Sequence, residues 1–296
     1  MGRANVPHVI SDDSALGGQL IGGSLRFRSA SNTELRRTPS SAGNRKTFTW
    51  SGWVKRSDTS PTQGRLFGGG NTSNYFSIYF PSDDPLRVIW YEGGQVFTNT
   101  TAKFRDSSAW YHVVVAVDTT QSTAGDRIKI YVNGVLQEKN NSNAPSQNSD
   151  TSVNNTVEHN IGKWVSTSQT YFDGYLTEIN FIDGQALDPS YFGYTESQTG
   201  IWRPKKFKAP SVNNHFNWAL NNNITDALNG AAFTENGGSS SFVSAGSNSF
   251  GLTNCLDISG GKYLSYAITP ASQWTIDFYV KLDNFTGANS YIGGWK

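Results

Sequence analysis

The sequence contains a single cysteine, Cys255, in 296 residues. One cysteine excludes an intrachain disulfide framework and a cysteine-rich zinc site. Charged residues make up 16% of the chain and the formal net charge is +1. This near balance argues against a surface that neutralises nucleic-acid phosphates, so no nucleic acid is expected as a partner. No apolar run approaches the roughly 20 residues of a membrane span, and no membrane insertion is expected.

Aromatic residues and glycine, in contrast, are abundant. The chain has 9 Trp, 13 Tyr, 17 Phe and 30 Gly residues. Large rings bury much apolar area per residue, and glycine suits the tight turns between short strands. The composition therefore predicts a folded, β-rich protein with an aromatic core.

The segment from residue 47 to 55 has a clear strand pattern. Phe48, Trp50 and Val54 fall on one face of a period-two strand, whereas Trp53 falls on the other face. We expect the first face to pack in a core and Trp53 to point outward. A nearly continuous apolar run over residues 110–118 predicts a central strand that is covered on both faces. Further strands are predicted at residues 24–27, 75–80, 86–91, 127–132, 158–164 and 171–182.

The dipeptide Asn133-Gly134 ends the alternating run over residues 127–132. Asn and Gly tolerate the positive φ angles of a two-residue type I′ turn, so a β-hairpin is predicted here. The Asn- and Ser-rich stretch 140–155 predicts a long surface loop, and residues 187–192 predict a short helical turn. The core between the two sheets is predicted to contain Phe48, Trp50, Val54, Ile128, Ile130 and Val132.

An internal repeat indicates the domain organisation. Residues 274–281 align with residues 48–55, and residues 291–294 align with residues 66–69, in the same order. The second copy stops at Lys296, inside what would be an unfinished sandwich, so we expect the natural chain to continue or neighbouring chains to complete the sheet. The predicted organisation is a flexible N-terminal arm over 1–23, a sandwich over 24–200, a connector over 201–249 and the beginning of a second, incomplete sandwich over 250–296.

Four segments together resemble the laminin-G and concanavalin A-like lectin/glucanase superfamily. They are Phe48–Lys55, Trp110–Val115, Ile128–Gly134 and Phe172–Ile179. The resemblance covers roughly residues 24–195. It implies an all-β fold, an antiparallel jelly-roll sandwich of two sheets.

Three further segments resemble the laminin-G-like virion proteins of marine bacteriophages. They are Arg37–Lys46, Asn180–Leu187 and Thr199–Lys206. This resemblance implies a structural component of a virion, such as a tail fibre, a capsid decoration or another appendage protein. The implied partners are other virion proteins of the capsid, tail or appendage and further copies of the chain, with host recognition through a cell-surface glycan as an added role. A carbohydrate-binding lectin that recognises a receptor is the alternative.

A glycoside hydrolase is the third hypothesis, because the superfamily includes glucanases. Retaining enzymes need two carboxylates about 5 Å apart, which the sandwich glucanases carry as Glu-x-Asp on one strand. The sequence has no Glu-x-Asp. Glu178 has Asp173 and Asp183 five positions away, on the opposite face of a regular strand. The sequence therefore predicts a protein that is not an enzyme.

Candidate contact residues follow from strand phase and charge. Sugar C–H faces pack on exposed rings whose polar neighbours bind hydroxyl groups, and the same rings can contact a protein partner. A run of basic residues early in the chain is a candidate contact for an acidic protein or anionic glycan, or it is a solvated surface. The aromatic candidates are Trp53, Tyr75, Tyr79, Tyr91, Tyr131 and Trp164. The basic candidates are Arg26, Arg28, Arg36, Arg37, Arg45 and Lys46.

Calcium is the one cofactor for which the sequence offers ligands. Asp83 and Asp84 lie in a loop between Pro81 and Pro85, and some laminin-G relatives bind Ca²⁺ through loop carboxylates. Paired acids in a loop also act as simple turn formers. His112 lies in an apolar strand, where a packed, hydrogen-bonded histidine is the favoured interpretation. No other cofactor is expected.

Overall fold

The computed structural model describes residues 17–57, 64–140, 143–164 and 170–208, together with the backbone of three short strands at 216–218, 234–236 and 241–244. The chain divides into two compact units, Met1–Phe250 and Gly251–Lys296. The second unit, with the predicted second sandwich, lies outside the described residues. The first unit is an all-β antiparallel sandwich, which confirms the predicted fold class.

The first sheet contains the strands with the longest apolar runs. Its strands are β1 (Gly23–Phe27), β3 (Thr47–Arg56), β8 (Tyr111–Asp118), β9 (Ile128–Val132), β10 (Val135–Leu136), β13 (Gly174–Asp183), β16 (Phe216–Trp218) and β18 (Ser241–Ser244). The spatial order is β10-β9-β8-β3-β13-β1-β18, and β16 also pairs with β13. The predicted central strand is confirmed, because β8 lies between β9 and β3 and is buried on both faces.

The second sheet is formed by eight other strands of the chain. Its strands are β2 (Glu34–Arg37), β4 (Gly64–Gly70), β5 (Asn74–Phe80), β6 (Pro85–Glu92), β7 (Gln95–Lys103), β11 (Lys139–Asn140), β12 (His159–Ile161) and β17 (Thr234–Asn236). The spatial order is β11-β7-β6-β5-β4-β12-β2-β17. A separate pair joins β14 (Gly193–Thr195) and β15 (Trp202–Pro204). The 3₁₀ turns are η1 (Ser29–Ser31), η2 (Ala124–Asp126) and η3 (Pro189–Tyr191), and η3 confirms the predicted helical turn.

The main core lies between the two sheets and is formed by alternate residues of each strand, as period-two geometry requires. Phe48 of β3 illustrates the packing, since its ring contacts Phe76 and Phe181 with centroids 5.5 Å apart in each case. All six residues predicted for the core belong to it: Phe48, Trp50, Val54, Ile128, Ile130 and Val132.

The predicted hairpin joins β9 and β10. Val132 pairs with Val135, and the turn residues Asn133 and Gly134 have φ angles of 49° and 81°. Both values are positive, as a type I′ turn needs, so the hairpin prediction is confirmed. A Cβ added to Gly134 would come within 2.5 Å of the Trp202 ring, so glycine also makes room for that indole.

A segment after β13 covers the outer face of the first sheet, where the sequence predicted one core face only for β3. We call residues 184–208 the strap. A small second core under it contains Val114, Ile182, Leu187 and Phe192. Thr49 of β3 holds the beginning of the strap in place. The Thr49 hydroxyl donates to the carbonyl of Gln185 at 2.7 Å and accepts from the Leu187 amide at 2.8 Å.

Parts of the predicted arm and connector pair within the first unit. The Gln19 amide donates to the Pro204 carbonyl, and the Lys206 amide donates to Gly17, both at 3.0 Å. The strands β16, β17 and β18, from the segment predicted as connector, pair with β13, β2 and β1. In the described part of the chain, no helix is long and apolar enough to cross a membrane.

Candidate functional site

Outward-facing residues of the second sheet form a cluster of rings and arginines. Tyr75 and Tyr79 of β5 alternate with the inward Phe76 and Ile78, so their rings lie on the outer face. Cross-strand pairing extends them into rows across the sheet. One row is Arg65, Tyr79, Arg87 and Asn99; the next contains Ile89 and Phe97; the third contains Tyr75, Tyr91 and Gln95. We call these residues, together with Trp164, the aromatic face.

Trp164 and Tyr91 hold the rings of this face in fixed orientations. The Tyr75 and Tyr91 rings stack with centroids 5.5 Å apart and an interplanar angle of 8°. Trp164 meets Tyr75 edge-on at 5.5 Å. Tyr75 is consequently buried, at 8% exposure, and Tyr79 is 2% exposed. The partly exposed rings available for contact are those of Tyr91, Phe97 and Trp164.

Two guanidinium groups lie against Tyr79. The Arg65 guanidinium carbon is 3.6 Å from the centre of the Tyr79 ring, and that of Arg87 is 5.6 Å away. Arg65 also lies 4.3 Å from the Trp164 ring. Burial lowers the pKa of Arg65 to about 10, and the charge of Arg87 adds to that effect, while the neighbouring tyrosines oppose it. Arg65 is therefore charged at neutral pH.

The other two aromatic candidates lie on the opposite side of the molecule. Trp53 points outward from the first sheet, as predicted, but it is only 9% exposed. Its ring contacts His112, which in turn contacts Trp202 of the strap, at 4.9 and 5.9 Å. Tyr131 packs against the small core under the strap. The structure thus brings four of the six predicted rings together and separates Trp53 and Tyr131 from them.

Two buried histidines are fixed as neutral tautomers by their hydrogen bonds. Trp202 Nε1 can only donate, so His112 Nδ1 accepts at 3.0 Å and His112 Nε2 carries the proton toward Ser51. Likewise, the backbone N–H of Asn154 donates to His159 Nε2 at 2.8 Å, so this nitrogen carries no proton. Burial lowers the pKa of His112 to about 3 and that of His159 to about 4. These histidines have structural roles, as expected for His112.

We expect the protein to lose stability as the pH falls from 6.5 toward 4. The unfolded chain takes up protons near the ordinary histidine pKa of 6.5, whereas the folded protein does not until about 4 for His159 and about 3 for His112. Each histidine contributes a slope of up to about 1.4 kcal/mol per pH unit, and this loss is absent above pH 6.5. Urea unfolding at pH 7.5, 6.5 and 5.0 measures it. His112→Gln should remove about half of the slope, and a flat profile in the wild-type protein would contradict the assignment.

The predicted basic candidates do not form one patch. Arg26 pairs with Asp173 at 2.5 Å, and Arg36 lies 3.8 Å from Glu158. Arg45 and Lys46 lie near Asp150, at 3.6 and 4.0 Å. Arg28 is exposed, and Arg37 is partly exposed on β2. Four of the six therefore have an acidic neighbour, as expected for a solvated surface.

The structure does not support the predicted calcium site at Asp83 and Asp84. Asp84 is buried between two cations, with Arg56 Nη1 at 3.1 Å and Arg105 Nε at 2.8 Å. Burial alone would raise the pKa of Asp84, but the hydrogen bonds from Arg105 and Arg56 lower it below its usual value. Two guanidinium groups occupy the carboxylate that a calcium ion would need. Within the described ranges, no group of three His, Cys, Asp or Glu side chains could hold a metal ion.

The carboxylates around Glu178 take part in structural contacts. Glu178 lies at a β-bulge of β13 with a φ angle of 49°. Asp173 binds Arg26 and accepts from the Ser29 amide. Asp183 accepts from the backbone N–H of Asn44 and from the side-chain Nδ2 of Asn154, both at 2.7 Å.

Sequence reasoning did not select Arg65, Arg87 or Phe97. Arg87 shares the strand phase of Tyr91, four residues later, which would have placed it on the same face. Phe97 lies in β7, whose polar composition has no clear period-two pattern.

The fold agrees with a family assignment. A family model described as Laminin_G_3, concanavalin A-like lectin/glucanases superfamily, matches residues 29–190. The chain belongs to this laminin-G-like family. No curated protein matches the chain.

Solved structures that are similar to the chain share little sequence with it. A native heptameric SAP-like pentraxin from Limulus polyphemus is 16% identical, with 76% of this chain and 95% of the pentraxin covered and a TM-score of 0.49. A putative carbohydrate binding protein from Bacteroides ovatus is 15% identical, with coverages of 76% and 60% and a TM-score of 0.49. Domains LG4-5 of the mouse laminin alpha1 chain are 15% identical, with coverages of 60% and 45% and a TM-score of 0.41.

Proposed function

We propose that the sandwich is a non-catalytic binding domain and that its aromatic face binds a carbohydrate. The observation that carries the proposal is the set of partly exposed rings of Tyr91, Phe97 and Trp164. Their neighbours on the sheet hold them in place, so little conformational entropy is lost when a ligand binds. Gln95 lies in the row of Tyr91, and Arg87 lies in the row next to Phe97; their polar groups suit the hydroxyl groups of a sugar.

The surroundings of Glu178 favour binding over hydrolysis. A retaining glycosidase needs a second carboxylate about 5 Å away that is free to act as an acid or a nucleophile. Asp173 and Asp183, the acids nearest to Glu178 in the sequence, are held by Arg26 and by Asn44 and Asn154. Neither is placed for catalysis.

We further propose that this domain belongs to a virion protein of a bacteriophage that contacts other virion proteins and further copies of itself. The support is the resemblance of three segments, residues 37–46, 180–187 and 199–206. Residues of all three segments make contacts within the domain. Asn44 of the first segment binds Asp183 of the second, and Trp202 of the third binds His112. The resemblance therefore concerns residues that hold the fold together, and it supports a common origin more directly than a common ligand. Locating the chain in a reconstruction of the purified particle tests this proposal, and its absence from the particle would refute it.

A glycan array tests the binding proposal. Trp164→Ala and Tyr91→Ala are each expected to weaken binding to a wild-type ligand at least about tenfold, since each removes a stacking surface. Tyr191→Ala is the matched control, because Tyr191 is 47% exposed on η3, outside the aromatic face. Thermal unfolding of each variant separates lost binding from lost folding. Equal binding by all variants, or no binding by the wild-type protein, would contradict the proposal.

A further inference from the structure

We infer that the saccharide bound by the aromatic face is a uronic acid residue whose carboxylate binds Arg87. The inference rests on the proposed carbohydrate function of this face and specifies the class of sugar. It depends on three observations: the fixed orientation of Arg87, the weak hold of Asp83, and the position of Phe97.

Arg87 is oriented by two neighbours that are not carboxylates. Its Nε donates to Asn99 Oδ1 at 2.6 Å, and its Nη1 donates to the Tyr79 hydroxyl at 3.2 Å. Among the described residues, its Nη2 makes no hydrogen bond, and the side chain is 22% exposed. The guanidinium therefore presents a fixed N–H edge to solvent, and such an edge binds a carboxylate well because the two groups match in geometry.

Asp83 is the acid nearest to this edge, and it is held loosely. Its Oδ1 is 3.9 Å from Arg87 Nη2, and its side chain is 58% exposed. An exposed ion pair of this kind contributes little stability, so a ligand carboxylate can replace it at little cost. Arg65, on the other side of Tyr79 in the same row, adds a second positive charge to the face. This charge pattern favours an anionic ligand over a neutral one.

Phe97 places a stacking surface beside the same guanidinium. The Arg87 guanidinium carbon is 5.3 Å from the centre of the partly exposed Phe97 ring. A uronic acid carries its carboxylate directly on the sugar ring. One residue of such a sugar can therefore stack on Phe97 while its carboxylate reaches Arg87, which a neutral hexose cannot do.

Binding of the full chain to defined polysaccharides tests this inference. The probes are oligogalacturonate, the same oligomer after reduction of its carboxyl groups, and dextran sulfate as a sulfated polyanion. We expect oligogalacturonate to bind at least tenfold more tightly than the other two. Arg87→Gln should abolish this preference, whereas Arg203→Gln should retain it, because Arg203 pairs with Glu196 in the strap. Asp83→Asn leaves the aromatic face intact and removes the carboxylate that lies near Arg87, so it should tighten oligogalacturonate binding. This test does not depend on the stability of the Arg87 variant.

The outcomes distinguish this inference from the proposed function. Equal binding of the acidic and reduced oligomers, with loss in Phe97→Ala, would overturn the uronic acid assignment and leave the carbohydrate proposal standing. Equal binding of dextran sulfate and oligogalacturonate would also overturn the assignment, as would an acidic preference that survives Arg87→Gln. Saccharide binding that is unaffected by Phe97→Ala would overturn the uronic acid assignment, and binding that is also unaffected by Tyr91→Ala and Trp164→Ala would overturn both proposals.

Discussion

Replacing Trp50 with alanine is expected to lower the free energy of unfolding by about 3 to 5 kcal/mol. Trp50 is fully buried in the main core, and its ring stacks with Phe67 at a centroid distance of 6.2 Å. The strands on both sides of β3 fix its backbone, so neighbouring side chains cannot collapse fully into the space left by the indole. The loss combines the transfer energy of the ring with the cost of a cavity. Urea unfolding followed by circular dichroism measures it.

Trp110→Ala provides a matched control for this variant. Trp110 precedes β8 and is 36% exposed, with one ring contact to Tyr175 at 6.5 Å. Its loss should cost clearly less than that of Trp50, because the indole is partly exposed and solvent can enter the space that it leaves. The urea m-value should stay unchanged in both variants if each still unfolds in one cooperative step. Similar losses in the two variants would mean that Trp50 is not part of the core.

Replacing Asp84 with asparagine is expected to cost about 3 kcal/mol, because it leaves Arg56 as a buried cation without its carboxylate. Arg56 is 4% exposed, its guanidinium lies 4.7 Å from the Phe80 ring, and it donates to the Phe104 carbonyl. These contacts remain in the variant, but they do not neutralise the charge. Asp84 has a φ angle of 71°, and asparagine tolerates this left-handed conformation, so the substitution tests the charge rather than the backbone.

Asp83→Asn is the control at the neighbouring position. Asp83 is exposed and pairs only loosely with Arg87, so its loss should change stability by less than about 0.5 kcal/mol. Thermal unfolding of the wild-type protein with and without millimolar Ca²⁺ completes the experiment. We expect no difference, because the arginines already neutralise Asp84. A rise in melting temperature with Ca²⁺ would restore the calcium hypothesis, and equal losses in the two variants would contradict the role of Asp84 in neutralising the buried Arg56.

Most of the fold could be predicted because its strands follow a period-two pattern. The hairpin at Asn133-Gly134 was predictable from local chemistry alone. The strand β7, with the sequence QVFTNTTAK, was missed because polar residues occupy most of its positions. The sequence also did not predict that the second face of β3 is covered. The strap, residues 184–208, lies far from β3 in the sequence, and the period-two pattern of β3 does not indicate its presence. The main exceptions thus depend on contacts between distant segments.

The candidate site was predictable only in part, for a related reason. Strand phase placed Tyr75, Tyr79 and Tyr91 on one face, and the structure agrees. Phase cannot show that Tyr79 is 2% exposed, because that burial comes from arginines on the two neighbouring strands. Cross-strand register determines which residues meet, and register is not visible in a single sequence.

The order of strands in the first sheet has a consequence for synthesis on the ribosome. β1 pairs with β13, and residues such as Arg26 and Gly174, which bond across this pair, are 148 positions apart. β3 depends on β13 in the same way for one of its two edges. A chain that emerges N-terminus first therefore exposes β1 and one side of β3 until residue 183 has left the exit tunnel. During that interval these edges are open to chaperones, and to the same edges of neighbouring nascent chains on a polysome.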